Sequence, residues 1–208
     1  MLNFFTPHSN ISFLASKKLY DGNGVQLKEK PAICMKEDYF ARTRNGHLLK
    51  DTFDPKTNTL DIYSSGLYPA NVLSNLAFKP FVFDDVECSS IEGFLQSLKI
   101  KDPEEQRKVC ILYGGSARKK SKKYLSWTID KKLYWQGKEY ERNSKEYKEL
   151  LYRAFKTCYE QNVTFRNALN STKGINLSHN KGKDDINDTV ITSKEFIEIL
   201  LKIRDEND

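Results

Sequence analysis

Between Ser144 and Glu160, Tyr147, Leu150, Leu151, Ala154, Phe155 and Cys158 recur at three- and four-residue spacing. That period sets all six side chains on one stripe of an α-helix, and a stripe so broad needs an apolar core to face. Further helices are predicted around it. Ser89-Ser90 caps one from about Ile91 to Ile100, the serine hydroxyl accepting an early backbone N–H. Asp102-Pro103 starts a second through about Leu112, with Glu104 and Glu105 in its first turn and Gly114-Gly115 closing it. A short helix covers Val163 to Asn170. The last follows Thr192, with Glu195 completing a capping box and Phe196, Ile199, Leu200 and Ile203 along one face.

Residues 1–66 have a different texture. Ile11 to Tyr20 and Val25 to Glu29 read as strands around the glycine turn Asp21-Gly22-Asn23-Gly24. Asn45-Gly46 is a second hairpin signal, between Tyr39–Thr43 and His47–Leu49. Asp54-Pro55-Lys56-Thr57-Asn58 is a turn cluster leading into Leu60–Tyr63. The expected fold class is therefore α+β: a β-rich N-terminal extension over 1–66 and a mainly helical domain over 67–208. A chain of 208 residues suits one sizeable domain, or a smaller one carrying an extension.

No apolar run approaches the ~18 residues of a membrane span, and the first residues lack the pattern of a secretory signal. A cytoplasmic protein without membrane contact is expected. Cys34, Cys88, Cys110 and Cys158 form no CxxC pair, which suits reduced, buried thiols. The 3 histidines are scattered, so no metal site is expected. The net charge of +6 is carried mostly by lysine, densest at Arg118-Lys119-Lys120-Ser121-Lys122-Lys123. A phosphate-binding patch and a solubilising surface explain that run equally well.

Glu92, Gln96 and Lys99 fall at i, i+4 and i+7, on one helical face. An amphipathic surface helix would group polar residues in the same way. The context narrows the choice. Leu73-Ser74-Asn75, then Pro80-Phe81-Val82-Phe83-Asp84, then Ser90-x-Glu92-x-x-x-Gln96-x-x-Lys99 resembles the opening signature of the NADAR (YbiA-like) family. Ala117-Arg118-Lys119, Tyr134-Trp135-Gln136-Gly137-Lys138, Arg142-x-Ser144, Leu177-x-His179 and Gly182-Lys183-Asp184 follow in similar order over roughly residues 70 to 204. The chain departs from the family at Gly93, where histidine is common. It also lacks the tryptophan-containing carboxy-terminal motif, with Gly182-Lys183-Asp184-Asp185 in its place.

The resemblance implies an enzyme that cleaves an N-glycosidic bond between a base and a ribosyl phosphate or ADP-ribosyl sugar, without a cofactor. The substrate it implies is ADP-ribosylated guanine in DNA, or a riboflavin-pathway intermediate. Breaking such a bond builds oxocarbenium-like charge that a carboxylate stabilises. Glu92 is the expected central acid and Asp184 the second. Lys99 could form a Schiff base with the opened sugar. Ser74 would bind substrate, Asn75 and Gln96 would bond ribose hydroxyls or hold Glu92 in place, Trp135 would stack a base, and Arg118, Lys119 or Lys183 would take phosphates. Each has a plainer reading: a salt bridge for Lys99, a core ring for Trp135, a turn for Asp184, a structural hydrogen bond for His179. A non-catalytic ADP-ribose-binding module is the alternative from another class.

Overall fold

The structure, a computed structural model, describes residues 51–124 and 126–206, together with the backbone of three short strands nearer the N-terminus. The chain divides into two compact units, residues 1–51 and 52–208. In the first, β1 (Leu19–Tyr20), β2 (Gln26–Lys28) and β3 (Phe40–Arg42) form an antiparallel sheet in that order. Leu19 lies opposite Leu27, so β1 and β2 pair as the intervening glycines anticipate. The Asn45-Gly46 hairpin and Cys34 lie outside the described residues.

The second unit opens with β4 (Phe53–Asp54) and β5 (Thr59–Asp61), an antiparallel hairpin. The Asp54 carboxylate closes its turn, accepting from the Lys56 N–H at 3.0 Å and the Thr57 hydroxyl at 2.9 Å. On its other edge β5 runs parallel to β10 (Asn176–Ser178), with Leu60 beside Leu177. The second compact unit thus includes Thr52–Gly66, residues expected from sequence to form part of the N-terminal extension.

The order then runs α1 (Ala70–Leu73), β6 (Phe81–Phe83), β7 (Val86–Cys88), α2 (Ile91–Ser97), α3 (Pro103–Cys110), α4 (Gly114–Ser121) and α5 (Trp127–Asp130). After these come β8 (Lys132–Trp135), β9 (Lys138–Glu141), α6 (Lys145–Gln161), α7 (Val163–Asn170), β10 and α8 (Ser193–Asp205). The caps read from sequence are present. Ser90 accepts from the Gly93 N–H at 2.9 Å and Ser144 from the Tyr147 N–H at 3.1 Å. Thr192 and Glu195 form the capping box of α8. Gly114-Gly115 does not close α3. Gly114, at a φ of 58°, donates its N–H to the Leu76 carbonyl and begins α4, the helix that carries the basic run. That helix lacks an apolar period, since only Ala117 and Ser121 are buried on it.

All six residues of the α6 stripe are buried, facing α2, α7, α8 and the β6–β7 hairpin in one core. The α2 helix sits deeper than an amphipathic surface helix would: every residue from Ile91 to Ser97 is buried. It lies against α3, α4 and α6. The approach is closest at Gly93, where a Cβ would stand 2.5 Å from the carbonyl oxygens of both Cys110 and Leu112. This accounts for glycine at a position where the resembled family often has histidine. Gly93→Ala is therefore expected to destabilise the fold by about 1–3 kcal/mol, because backbone cannot yield as a side chain can. A urea midpoint equal to wild type would refute that contact. No described helix is long and apolar enough to cross a membrane.

Candidate active site around Glu92

The loop after α1 is anchored by a buried cation. Lys79 is 2% exposed, and its Nζ donates to the carbonyls of Val72 (3.0 Å), Leu73 (3.2 Å) and Ser74 (2.9 Å). The Val72 and Leu73 carbonyls lie at the helix end, where a cation is well placed, and the Ser74 carbonyl also accepts the Ala77 N–H at 3.0 Å. The Phe165 ring lies 4.4 Å from the same nitrogen. Burial pulls the Lys79 pKa down to about 8, with Cys158 acting in the opposite direction.

Between pH 8 and the ordinary lysine value of 10.5 the unfolded chain holds a proton that the folded chain has released. Stability contributed at Lys79 therefore rises over that window, by up to about 3 kcal/mol. Urea unfolding of wild type and Lys79→Met at pH 7 and pH 10 checks this. The difference should move in favour of wild type at the higher pH, and a constant difference would refute it.

With the loop held, the Asn75 carbonyl accepts the Glu92 backbone N–H at 2.9 Å, joining the loop to the first turn of α2. The Glu92 side chain is buried, the residue being 3% exposed. Its Oε1 accepts from Gln96 Nε2 at 2.9 Å and from Arg118 Nε of α4 at 2.6 Å. Gln96 Oε1 in turn accepts from Lys99 Nζ at 2.7 Å and from the Ser121 hydroxyl at 2.5 Å. The result is one polar chain, Arg118–Glu92–Gln96–Lys99, running between α2 and α4, buried at Glu92 and Gln96 and open to solvent at Arg118. Burial lowers the Lys99 pKa; the charge of Glu92 pulls it back up, and that of Arg118 pushes it further down. The Trp127 ring lies 5.5 Å from Lys99 Nζ. Beside this chain, Asn75 Oδ1 is buried without a hydrogen-bond partner among the described residues.

The structure thus brings together Asn75, Glu92, Gln96, Lys99 and Arg118. Ser74 lies next to them but serves the turn: its hydroxyl accepts the Leu76 N–H at 3.4 Å. Lys119 is exposed on α4. Trp135 is not a free stacking surface. It is 3% exposed, stacks on Phe83 at 5.5 Å, meets Phe94 edge-on at 5.1 Å and donates Nε1–H to Asp84 at 2.9 Å. Its apolar area is consumed by the core, which corrects the base-stacking role expected from sequence. Asp184 and Lys183 are exposed in the loop before α8. The Asp184 carboxylate accepts the Lys194 N–H at 3.3 Å, and Lys183 Nζ lies 3.9 Å from Asp188. Neither shares a described hydrogen bond with the Glu92 chain. His179 bonds the Ile62 carbonyl at 2.8 Å and meets Phe196 edge-on.

Sequence reasoning missed Ser121, Trp127 and Lys79. Ser121 was hidden inside the lysine run, though it follows Arg118 by one helical turn. Lys79 carried no motif signal. Among the described residues no group of three metal-ligating side chains comes together, and Cys88, Cys110 and Cys158 are buried free thiols. An open groove of about 320 Å³ between α6 and α8, lined by Lys145, Lys148, Tyr152, Glu195, Ile199 and Lys202, contains none of the expected site residues.

Comparison with known proteins gives three findings. The family described as "Bacteriophage protein GP30.3" matches residues 67–205. An uncharacterized 17.1 kDa protein from the Gp30-rIII intergenic region of Enterobacteria phage T4 is 37% identical over 150 residues, covering 70% of this chain and 97% of its own. The solved structure of the E. coli protein YbiA aligns with a TM-score of 0.51 at 15% identity, over 73% of this chain and 85% of that one. The last is a likeness of fold, and it agrees with the YbiA-like α+β fold expected from the motifs.

Proposed function

The chain belongs to the bacteriophage protein GP30.3 family and carries a YbiA-like fold, and from the site built on that fold we propose that it is an N-glycosidase acting on a base-linked ribosyl phosphate or ADP-ribosyl sugar. The observation that supports this reading is the buried Glu92 carboxylate, oriented by Gln96 and Arg118 next to an Asn75 Oδ1 that has no hydrogen-bond partner among the described residues. A carboxylate held by two donors spends little reorganisation on meeting a developing cation.

In this reading the C1′–N bond breaks with its electron pair leaving on the base nitrogen, which takes a proton. Glu92 faces the oxocarbenium-like carbon and guides water to it. Asn75 Oδ1 accepts a ribose hydroxyl, filling its open hydrogen-bonding capacity. Arg118, whose side chain is 61% exposed, turns from Glu92 to a substrate phosphate, with Lys119 nearby. Lys99, its pKa lowered by burial, supplies a neutral amine more readily than a surface lysine and can condense with the opened sugar aldehyde, losing water to form an imine that water later cleaves. The substrate we favour is ADP-ribosylated guanine in DNA, with free riboflavin-pathway intermediates as the rival.

A second reading, a binding module without turnover, is favoured by the exposed position of Asp184, which leaves the second acid outside the Glu92 chain. Incubation of the full chain with ADP-ribosylated DNA, and separately with free ribosyl-phosphate amines, discriminates these. Release of ADP-ribose or of free base supports the hydrolase. Tight binding without product from either substrate overturns it.

A further inference from the structure

With Trp135 in the core, the aromatic surface next to the Glu92 site comes from elsewhere. Phe78 is 62% exposed and Tyr113 47% exposed, and their rings meet edge-on at 5.3 Å and 66°. Two large rings paired in solvent bury little of their area, so folding alone does not account for them. Their placement is fixed by the first turn of α2. Asn75, three residues before Phe78, bonds the Glu92 N–H, and Leu76 accepts the Gly114 N–H at 3.1 Å. Leu112, next to Tyr113, accepts the Ser90 hydroxyl at 3.0 Å. The pair therefore flanks the end of α2 that presents Glu92.

Beyond Gly114-Gly115-Ser116-Ala117, which follow Tyr113, comes the most basic segment of the chain. Arg118, Lys119, Lys120, Lys122 and Lys123 occur on α4 and the turn after it without an acidic residue between them. Glu105 of α3 acts on Lys120 and Lys123. Among the described residues Lys119 and Lys122 have no acidic partner. Exposed rings beside a row of cations are the two components by which proteins hold single-stranded nucleic acid, the bases stacking and the phosphates meeting lysine and arginine. A free nucleotide would need neither the length of the row nor a second ring.

We infer that Phe78 and Tyr113 form a stacking platform for a base neighbouring the reacting nucleotide in a single strand, whose phosphates run along α4. The proposal rests on the N-glycosidase reading only for placing the reacting nucleotide at Glu92; the strand surface itself is independent of turnover. The test measures fluorescence anisotropy of labelled, unmodified single-stranded DNA, and of RNA of the same sequence, titrated with the full chain at several salt concentrations.

Wild type is expected to bind at least one of the two strands, and Phe78→Ala/Tyr113→Ala to bind it at least tenfold more weakly. Tyr113→Phe, which keeps the ring, should bind as wild type does. Lys119→Glu/Lys122→Glu should flatten the dependence on salt. Failure of wild type to bind either strand, or equal affinity for wild type and the double alanine variant, overturns the platform. Strand binding through the rings with no bond cleavage on any substrate would leave the platform standing and remove the hydrolase. Cleavage of a free ribosyl substrate with no strand binding would do the reverse.

Discussion

Glu92→Gln is expected to lower turnover by a factor on the order of 10²–10⁴ while leaving the folded state in place. The amide has the shape of the carboxylate, and its oxygen can still accept from Gln96 and Arg118, so α2 and α4 stay joined. What disappears is the negative charge that would face the oxocarbenium-like carbon. Steady-state rates on whichever substrate releases product provide the measurement, with thermal unfolding as the control for folding. Turnover close to that of wild type would take Glu92 out of the chemistry. A large loss of rate together with a large loss of melting temperature would instead mark a structural carboxylate.

Arg142→Met is expected to cost about 3–5 kcal/mol of stability, the usual consequence of removing one partner from a buried ion pair. Arg142 is 2% exposed, and its guanidinium bonds both Glu195 oxygens, at 3.0 and 2.7 Å, with Nε on the Thr189 carbonyl at 2.8 Å. Burial pushes the Glu195 pKa up, yet the bonds from Arg142 and Thr192 together hold it below the ordinary carboxylate value. A depressed carboxylate contributes stability above its unfolded pKa and loses it as the pH falls through the folded one. The deficit of Arg142→Met should thus be largest at neutral pH and shrink in acid. Replacing Glu195 by Met in the same chain should recover much of it, since an apolar pair leaves no charge unpaired. A deficit independent of pH and unrelieved by the second substitution would show that the guanidinium matters for its packing.

The helices were legible wherever a periodic apolar stripe met a capping residue. The stripe of α6, the Ser90 cap of α2 and the Thr192–Glu195 box of α8 all depend on interactions within a few residues. The α4 helix was not legible, because a run of lysines has no apolar period and its two glycines read as a stop. The grouping of Glu92, Gln96 and Lys99 on one face follows from spacing. Their burial does not, because it depends on Gly93 admitting the end of α3. Trp135 illustrates the same limit: a ring next to a motif looks like a ligand surface until Phe83, Phe94 and Asp84 surround it. Pairings between distant residues, such as Arg118 with Glu92 and Arg142 with Glu195, leave no local trace.

The parallel pairing of β5 with β10 has a consequence for how the protein is made. Thr59–Asp61 and Asn176–Ser178 lie more than a hundred residues apart in the chain, so this pairing cannot close until all the residues between them have been made. Contacts of such wide sequence separation slow folding and lengthen the time in which apolar surface stands open. Until Asn176–Ser178 has been made, β5 has β4 on one side and an open edge on the other.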